Sequence, residues 1–470
     1  MLVIVLAAIA IAALTGLAVR QFLEFKGGQA RITWREFAIG MAISPIVAGL
    51  VAWAGWSIAK QSKITFTEYW NGWEVATVKE YTQCTRDGPC RWEYDCDPYL
   101  CSYECGEYEG TGDDRHYVSK TCWKTCYHDC PYVNREYHFS IDTTLGRYSI
   151  ANNVFPDSPQ SNRWRANTSV PQSVISRAGT GEPSFWVAAR NRCEANMPGP
   201  VTARRDYKNY ILASDHTLMK EHSSDIAEYQ SRKLLPSLAQ TIDTFYRANK
   251  LSFIGWQPYN SRVWQEALEY LNANLGHQMQ GDLHLVVIKD DAIASNPERY
   301  SLALKAYWQN KEVFSDHALS KNAVVVLVGT TDGVTVSWSR AFTGMPLGNE
   351  KLIVVMRDGL KGTPLTYESL IGPIQSRRDS KGVYYPPDGN YGSIQRIIFG
   401  VDDQSTKFKR VRMSGDDRES GFLYLKNEIQ PSTGQTWAIL IVAFLACCGA
   451  WVWAANHYDP SEGGYRWWRG

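Results

Sequence analysis

The chain has 470 residues, and its 49 basic and 48 acidic residues give a formal net charge of +1. A net charge near zero provides no strong overall field for nucleic acid, so we expect no nucleic-acid partner. Three segments contain no charged residue: Leu2–Val19, Phe37–Ala59 and Thr436–Ala455. Each is close to the roughly 20 residues that a helix needs to cross the hydrocarbon core of a bilayer. The sequence therefore predicts a membrane protein with three transmembrane helices, and the lipid bilayer is its first expected partner.

These three segments also contain no histidine. Ion and proton pathways through membranes are lined by ionisable side chains. The composition therefore argues against a transporter or a pump.

Lysine and arginine predict which side of the membrane each part occupies, because both residues favour the cytoplasmic side of a span. They are concentrated between the first two segments and in the tail, at Arg20, Lys26, Arg31, Arg35, Arg466 and Arg469. The resulting layout is a first transmembrane helix within 1–20 with its N-terminus outside, a cytoplasmic loop at 21–36, a second helix at 37–59, a third at 436–455 and a cytoplasmic tail at 456–470. The large central domain is then extracytoplasmic, on a cytoplasmic (inner) or plasma membrane.

A cleaved signal peptide over residues 1–20 is the alternative. That segment has an apolar core but no positively charged region before it. If it were removed and the new N-terminus stayed outside, the second helix would carry the central domain into the cytosol.

Residues 60–155 form a cysteine-rich zone with short aromatic and β-branched runs that predict strands. Its eight cysteines are Cys84, Cys90, Cys96, Cys101, Cys105, Cys122, Cys126 and Cys130. This density is typical of a disulfide framework in an oxidising compartment, which agrees with an extracytoplasmic domain. Cys193 brings the number of thiols in the domain to nine, so one is unpaired or pairs with another chain.

Two pairs within this zone share one spacing, Cys101 with Cys105 and Cys122 with Cys126. A spacing of four places both thiols of a pair on one face of a helix. The pattern is similar to twin CX3C helical hairpins, and this similarity predicts two helices joined by Cys101–Cys126 and Cys105–Cys122 bridges. Zinc is the alternative, but the chain lacks the CxxC pairs on which structural zinc sites rely.

Beyond this zone we expect a linker and irregular region at 156–222, an α/β domain at 223–400 and a membrane-proximal segment at 401–435. Helical periodicity predicts helices within 223–249, bent or split at Pro236, at Trp264–Leu275 with Gly276 as its C-terminal cap, and at 297–309. Apolar runs predict strands at Leu283–Ile288, Ala323–Val328, Val334–Ser339 and Leu352–Met356, with Asp332-Gly333 as a hairpin turn.

Three segments of this domain carry a resemblance to a known family: EALEYLNANLGHQMQGDLHLVVIKD, SLALKAYWQNKEVF and NAVVVLVGTTDGVTVSWSRAFTGMP. They resemble the TPM-domain family over residues 264–356. Trp308 and the strand Ala323–Val328 match, whereas Ala341–Met345 stands where the family has a Gly-Tyr-Gly signature and Gln309 replaces the glycine of its Trp-Gly segment. The resemblance implies a membrane-tethered, extracytoplasmic α/β sandwich. The predicted fold class is therefore three transmembrane helices with a large ectodomain, a disulfide-rich β zone followed by a TPM-like α/β sandwich.

Asp290 and Asp291 follow one predicted strand, and Asp332 follows the next. Ligands of open α/β sheets bind beyond the carboxyl ends of the strands, and carboxylate oxygens are the ligands of Ca²⁺ and Mg²⁺. The three residues are thus the candidate metal site. Some TPM domains bind calcium or hydrolyse phosphate esters, which the resemblance carries over as an expectation. The alternative is that these aspartates cap turns, as aspartate commonly does.

Neither a nucleophile elbow, nor an H-E-x-x-H helix, nor a phosphate-binding loop occurs in the sequence. The favoured hypothesis is a non-enzymatic, membrane-anchored binding or assembly protein with a membrane or envelope protein as its partner. The alternatives are a divalent-metal-dependent, phosphatase-like hydrolase at the three aspartates and a structural component of an envelope or virion complex.

Overall fold

The structure is a computed structural model. It describes residues 2–27, 34–83, 93–109, 116–131, 135–151, 182, 184–213, 222–238, 249–345, 347–374, 377–378, 384–385, 389–411, 413 and 422–456. Residues 156–181 of the predicted linker and irregular region, and the tail from 457, lie outside the described residues.

Three long helices, α1 (Leu2–Gly27), α2 (Trp34–Ile64) and α13 (Thr433–Asn456), contain the segments predicted to cross the membrane. Each is long and apolar enough to span a bilayer, which confirms three candidate spans. The helices pack against one another, and small residues are what allow the close approach. A Cβ at Gly40 would collide with the ring of Trp451, and a Cβ at Gly16 would collide with Sδ of Met41 and crowd the same ring.

The first sheet continues directly from the C-terminal end of helix α2. Strand β1 (Thr65–Gln83) begins where α2 ends, and the sheet order is β5–β4–β1–β6 with every pairing antiparallel. The other strands are β4 (Arg135–Thr143), β5 (Gly146–Ala151) and β6 (Pro200–Lys208). The short strands predicted at the start of the cysteine-rich zone are thus one long strand, with a bulge between Glu74 and Ala76.

Strands β2 (Glu93–Glu109) and β3 (His116–Pro131) pair with each other as a separate two-stranded antiparallel sheet, here called the hairpin. The predicted helical hairpin is therefore wrong in its secondary structure. Residues four apart share a face on a strand as well as on a helix, because the strand period is two, so the cysteine spacing could not distinguish the two. The β-branched and aromatic residues between the cysteines favour the strand.

The region predicted as linker and irregular also proves partly regular. Its described part contains helix α3 (Ser184–Glu194), strand β6 and the short helix α4 (Tyr210–Ala213). β6 was missed because Arg204, Arg205 and Asp206 interrupt its apolar pattern. The buried part of the strand is the stretch Val201, Thr202 and Ala203, which is paired with β1.

The second sheet lies in the α/β body, defined here as the described part of 249–411. Its order is β10–β9–β8–β7, with β7, β8 and β9 parallel and β10 antiparallel. The strands are β7 (Leu251–Ile254), β8 (Asp282–Ile288), β9 (Ala323–Gly329) and β10 (Trp338–Thr343). β8 and β9 are buried along their whole length, which confirms the two most apolar predicted strands.

Helices cover both faces of this sheet, because side chains alternate between the faces along each strand. Val325 and Leu327 point into one core with Tyr300 and Trp308, whereas Val324 and Val326 belong to a second core. The helices are α5 (Ser223–Ser231), α6 (Ser261–Met279), α7 (Asp291–Ser295), α8 (Pro297–Trp308), α9 (Lys311–Phe314), α10 (Glu350–Gly359), α11 (Tyr367–Leu370) and α12 (Ser393–Phe399). Residues Arg377–Arg378 (β11) and Tyr384–Tyr385 (β12) form a short ladder.

Three further predictions in the body are corrected. Leu352–Met356 belongs to helix α10, where Leu352 and Met356, one turn apart, are buried. The strand predicted at Val334–Ser339 starts later, at Trp338, and the connection from β9 is correspondingly longer. Helix α6 continues past Gly276 to a left-handed cap at Gln280. Gly276 serves another purpose, since a Cβ there would collide with the backbone oxygen of Asn71.

Candidate functional site

The carboxyl edge of the parallel sheet is where the sequence places a metal site. Asp290 follows β8 and caps helix α7, since its Oδ1 accepts the backbone N–H of Ile293 at 2.9 Å. Its other oxygen faces Arg232 at 3.6 Å. Asp291 lies in the first turn of the same helix with its side chain exposed. Asp290 therefore acts as the N-cap of α7, and Asp291 lies in the first turn, where a negative charge interacts favourably with the helix dipole.

Both carboxylate oxygens of Asp332 accept hydrogen bonds from residues of its own loop. Its Oδ1 accepts the backbone N–H groups of Val334 at 2.8 Å and Thr335 at 2.9 Å, and the Thr335 hydroxyl donates to Oδ2 at 2.9 Å. The Thr330 hydroxyl donates to Oδ1 at 3.0 Å. These bonds, led by the one from the Thr335 backbone, hold the pKa of Asp332 well below its usual value.

The structure does not bring the three aspartates together as ligands. Within the described residues, no group of three or more His, Cys, Asp or Glu side chains is placed to hold a metal ion. The local geometry matches the turn-capping interpretation of Asp290 and Asp332.

The two interpretations of Asp332 predict different responses to metal. If the side chain caps its loop, Asp332→Ala lowers the thermal midpoint of the protein by the same amount with and without EDTA. The measurement is a melting curve in each buffer, with Asp291→Ala as the control at an exposed position. If Ca²⁺ or Mg²⁺ stabilises the wild type and not the variant, the result would support the metal-site interpretation of Asp332.

The hairpin carries both of the disulfides that the described residues contain. Cys101 is bonded to Cys126 and Cys105 to Cys122, each with a Cα–Cα distance of 5.8 Å. The predicted pairing is thus confirmed on strands instead of helices. Cys96 and Cys130 lie on the same strands, but their side chains, like residues Cys84 and Cys90, are outside the description, and Cys193 lies half-buried on α3.

The disulfides divide the hairpin into two chemically different faces. Both bridges and the rings of Tyr99 and Tyr103 lie on one face, where Lys124 stands 5.3 Å from the Tyr103 ring centre. Alternate residues form the other face. On it Leu100, Trp123 and Tyr127 expose 70%, 66% and 52% of their surface. We call these three residues the apolar face of the hairpin.

A second unusual feature lies at the opposite, amino edge of the parallel sheet. There Asn71 of β1 and Thr202 of β6 meet Lys250, Asp282 and His284 of the α/β body, and we call these five residues the buried polar cluster. The side chains of Lys250 and Asp282 are 2% and 0% exposed. Lys250 donates to Asp282 Oδ1, Asn71 donates to the same oxygen at 2.8 Å, and His284 Nε2 lies 3.2 Å from Oδ2.

Burial alone would raise the pKa of Asp282. The charge of Lys250 and the hydrogen bonds from His284 and Lys250 outweigh burial, so the pKa lies well below its usual value of 3.8. For Lys250 burial is the largest effect and lowers its pKa, against the opposing influence of Asp282. The two groups therefore depend on each other for their charge state.

While Lys250 keeps its free ammonium, this dependence predicts acid lability. A carboxyl with a depressed folded-state pKa stabilises the fold above its unfolded pKa of about 4, and this contribution is lost as the pH falls towards the folded value. We expect Asp282→Asn to flatten the decline of the unfolding free energy below pH 4. Urea titrations at several pH values measure the slope, and Asp291→Asn is the control. An unchanged slope in Asp282→Asn would contradict the assignment.

Lysine side chains connect the body to the C-terminal end of α2. Lys311 Nζ donates to the last carbonyls of α2, Ser62 at 3.0 Å and Lys63 at 2.7 Å, which satisfies acceptors that a helix end leaves unpaired. Lys63 Nζ in turn donates to the carbonyl of Gln430, just before α13, at 3.0 Å. The end of α2 thus contacts both the body and the segment that leads into α13.

Comparison of the chain with family models, curated proteins and solved structures finds no match. The functional argument therefore rests on the geometry described above.

Proposed function

We propose that this chain is a membrane-anchored binding or assembly protein whose body lies outside the cytoplasm and whose hairpin contacts a partner protein of the membrane or envelope. The observation that carries the proposal is the apolar face of the hairpin. Large apolar side chains that stand together in solvent mark interaction surfaces in folded proteins. Tyrosine and tryptophan are also the residues enriched at the centres of protein interfaces.

The two disulfides support the extracytoplasmic side. Bridges of this kind persist in oxidising compartments and are rare in the cytosol. The excess of lysine and arginine in the predicted loop and tail supports the same orientation. The α/β body with helices on both faces of its sheet is compatible with the TPM-like module, which remains part of the proposal.

A protein is favoured over a lipid surface as the partner. The hairpin is inserted between Gln83 and Arg135, which pair at the end of β1 farthest along the chain from α2. A strand of that length spans up to roughly 60 Å, so the insertion point lies at the end of β1 that is remote from α2. Ser102, Glu104 and Thr121 share the face with the apolar residues and provide polar groups for a protein interface.

The test uses a double variant, Leu100→Ser with Trp123→Ser, in the full-length protein in its native membrane. We expect the wild type to migrate as a complex in native electrophoresis after mild solubilisation, and the variant to migrate at the size of the chain alone. A photo-crosslinker at Tyr127 should yield one protein adduct that the double variant loses. Tyr259→Ser, at a fully exposed position of the body, is the control. Equal migration of wild type and double variant, or crosslinks to lipid alone, would contradict the proposal.

A further inference from the structure

The buried polar cluster brings an amine, a carboxamide and a carboxyl group into mutual contact. Lys250 Nζ donates to Asn71 Oδ1 at 3.2 Å and also contacts Asp282 Oδ1. Asn71 Nδ2 donates to Asp282 Oδ1 at 2.8 Å. The three residues come from β1, the residue before β7 and the start of β8. A nucleophile, an electrophilic carbonyl carbon and a group able to carry a proton are therefore adjacent.

Simple stabilisation does not account well for this arrangement. A buried ion pair commonly costs as much in desolvation as it returns in attraction. The charge of Lys250 keeps Asp282 ionised at rest. Burial nevertheless opposes the charge on each group, so transient transfer of the proton from the ammonium to the carboxylate, which leaves both neutral, is easier here than in water. A desolvated lysine with a neutral amine is an activated nucleophile.

We propose that Lys250 and Asn71 become joined by an intramolecular isopeptide bond, with Asp282 as the proton carrier.

The step is balanced within the three side chains. Asp282 takes a proton from the Lys250 ammonium, and the neutral Nζ attacks Cγ of Asn71. Asp282 then gives its proton to Nδ2, the Cγ–Nδ2 bond breaks, and ammonia takes one of the two protons still on the attacking nitrogen and leaves as ammonium. An Nζ–Cγ amide replaces the side-chain amide. Asp282 ends as the carboxylate, and no oxidant or cofactor is consumed.

The surrounding groups fit this chemistry. Thr202 Oγ1 donates to Asn71 Oδ1 at 2.9 Å, which is the oxygen that becomes negative in the tetrahedral intermediate. The leaving nitrogen faces Asp282, the group that must protonate it. His284, at 3.2 Å from the other oxygen of Asp282, is a positioning residue. Burial of the cluster keeps water from competing with the lysine.

The bond would join the sheet that continues from α2 to the parallel sheet of the α/β body. It would therefore tie the membrane-attached strand to the body covalently, and reducing agents would not open it. The inference does not depend on the proposed function, because it concerns the interior of the protein and not the hairpin.

The experiment is intact mass spectrometry of the full-length protein after reduction and denaturation, with peptide mapping. We expect a mass below that of the sequence by one ammonia, and a digest in which the Asn71 peptide is linked to the Lys250 peptide. Lys250→Arg and Asp282→Asn should each abolish both signals, while Lys321→Arg, a control lysine outside the cluster, should retain them.

Two results would overturn the inference. One is a wild-type protein in which the Asn71 and Lys250 peptides are separate and no ammonia is lost. The other is the loss of one water with a Lys250–Asp282 link, which would assign the acyl group to the carboxylate. Neither reading depends on whether a variant folds, because both are made on the wild-type chain.

Discussion

Reduction of the Cys101–Cys126 and Cys105–Cys122 disulfides is expected to unfold the hairpin while the α/β body stays folded. A two-stranded sheet is marginally stable in water by itself, and the apolar face of this one is exposed instead of packed in a core. The bridges close segments with sequence separations of 25 and 17 residues. Loops of this size give roughly 3 kcal/mol of stabilisation for each bridge.

Hydrogen–deuterium exchange before and after reduction measures this effect. The loss of one bridge alone, about 3 kcal/mol, corresponds to a roughly hundredfold decrease in amide protection, so we expect a decrease of at least that size in β2 and β3. The amides of Ala323–Gly329, buried in the body, serve as the internal control and should not change. Full protection of the hairpin after reduction would show that other contacts hold it.

Trp308→Ala is expected to destabilise the α/β body by about 3–5 kcal/mol, the range for removing a large buried aromatic side chain. The Trp308 ring is 2% exposed and lies 5.7 Å, between ring centres, from His284. Its Nε1 also donates to the carbonyl of Pro236 at 2.9 Å, so the substitution leaves that acceptor without its donor.

Urea unfolding followed by circular dichroism tests the prediction. Trp123→Ala is the matched control, because it removes the same atoms from an exposed position and should change the unfolding free energy of the body by less than about 0.5 kcal/mol. Similar losses in the two variants would mean that Trp308 does not support the core.

The elements that could be predicted from the sequence are those in which local pattern and tertiary environment agree. β8, β9 and helix α8 belong to this group. The β-branched apolar runs of β8 and β9 indicate buried strands, and the helical periodicity of α8 indicates a helix with one buried face. The strand predicted at Leu352–Met356 was wrong for the opposite reason, because an apolar run of five residues fits a strand or a buried helix equally well. The disulfide pairing was predicted correctly, because it required only that the thiols share a face.

The buried polar cluster was not predictable, because its members are distant in sequence. Asn71 and Lys250 are separated by 179 residues, and each by itself resembles an ordinary surface residue. The helical interpretation also concealed the apolar face of the hairpin, because it assigns Leu100 to a different helix from Trp123 and Tyr127 and contains no cross-strand pairing that places the three residues on one face. On strands the alternation of Trp123 and Tyr127 with Cys122 and Cys126 is the signal that could have revealed it.

The most direct test is to label Lys120 and Lys124 of the hairpin, both exposed, in intact cells with a membrane-impermeant amine reagent. The account predicts that both lysines react before the membrane is opened, on peptides that remain disulfide-linked, while Lys26 of the predicted cytoplasmic loop reacts only after opening. Reaction of the hairpin lysines only after permeabilisation, with Lys26 labelled from the start, would contradict it.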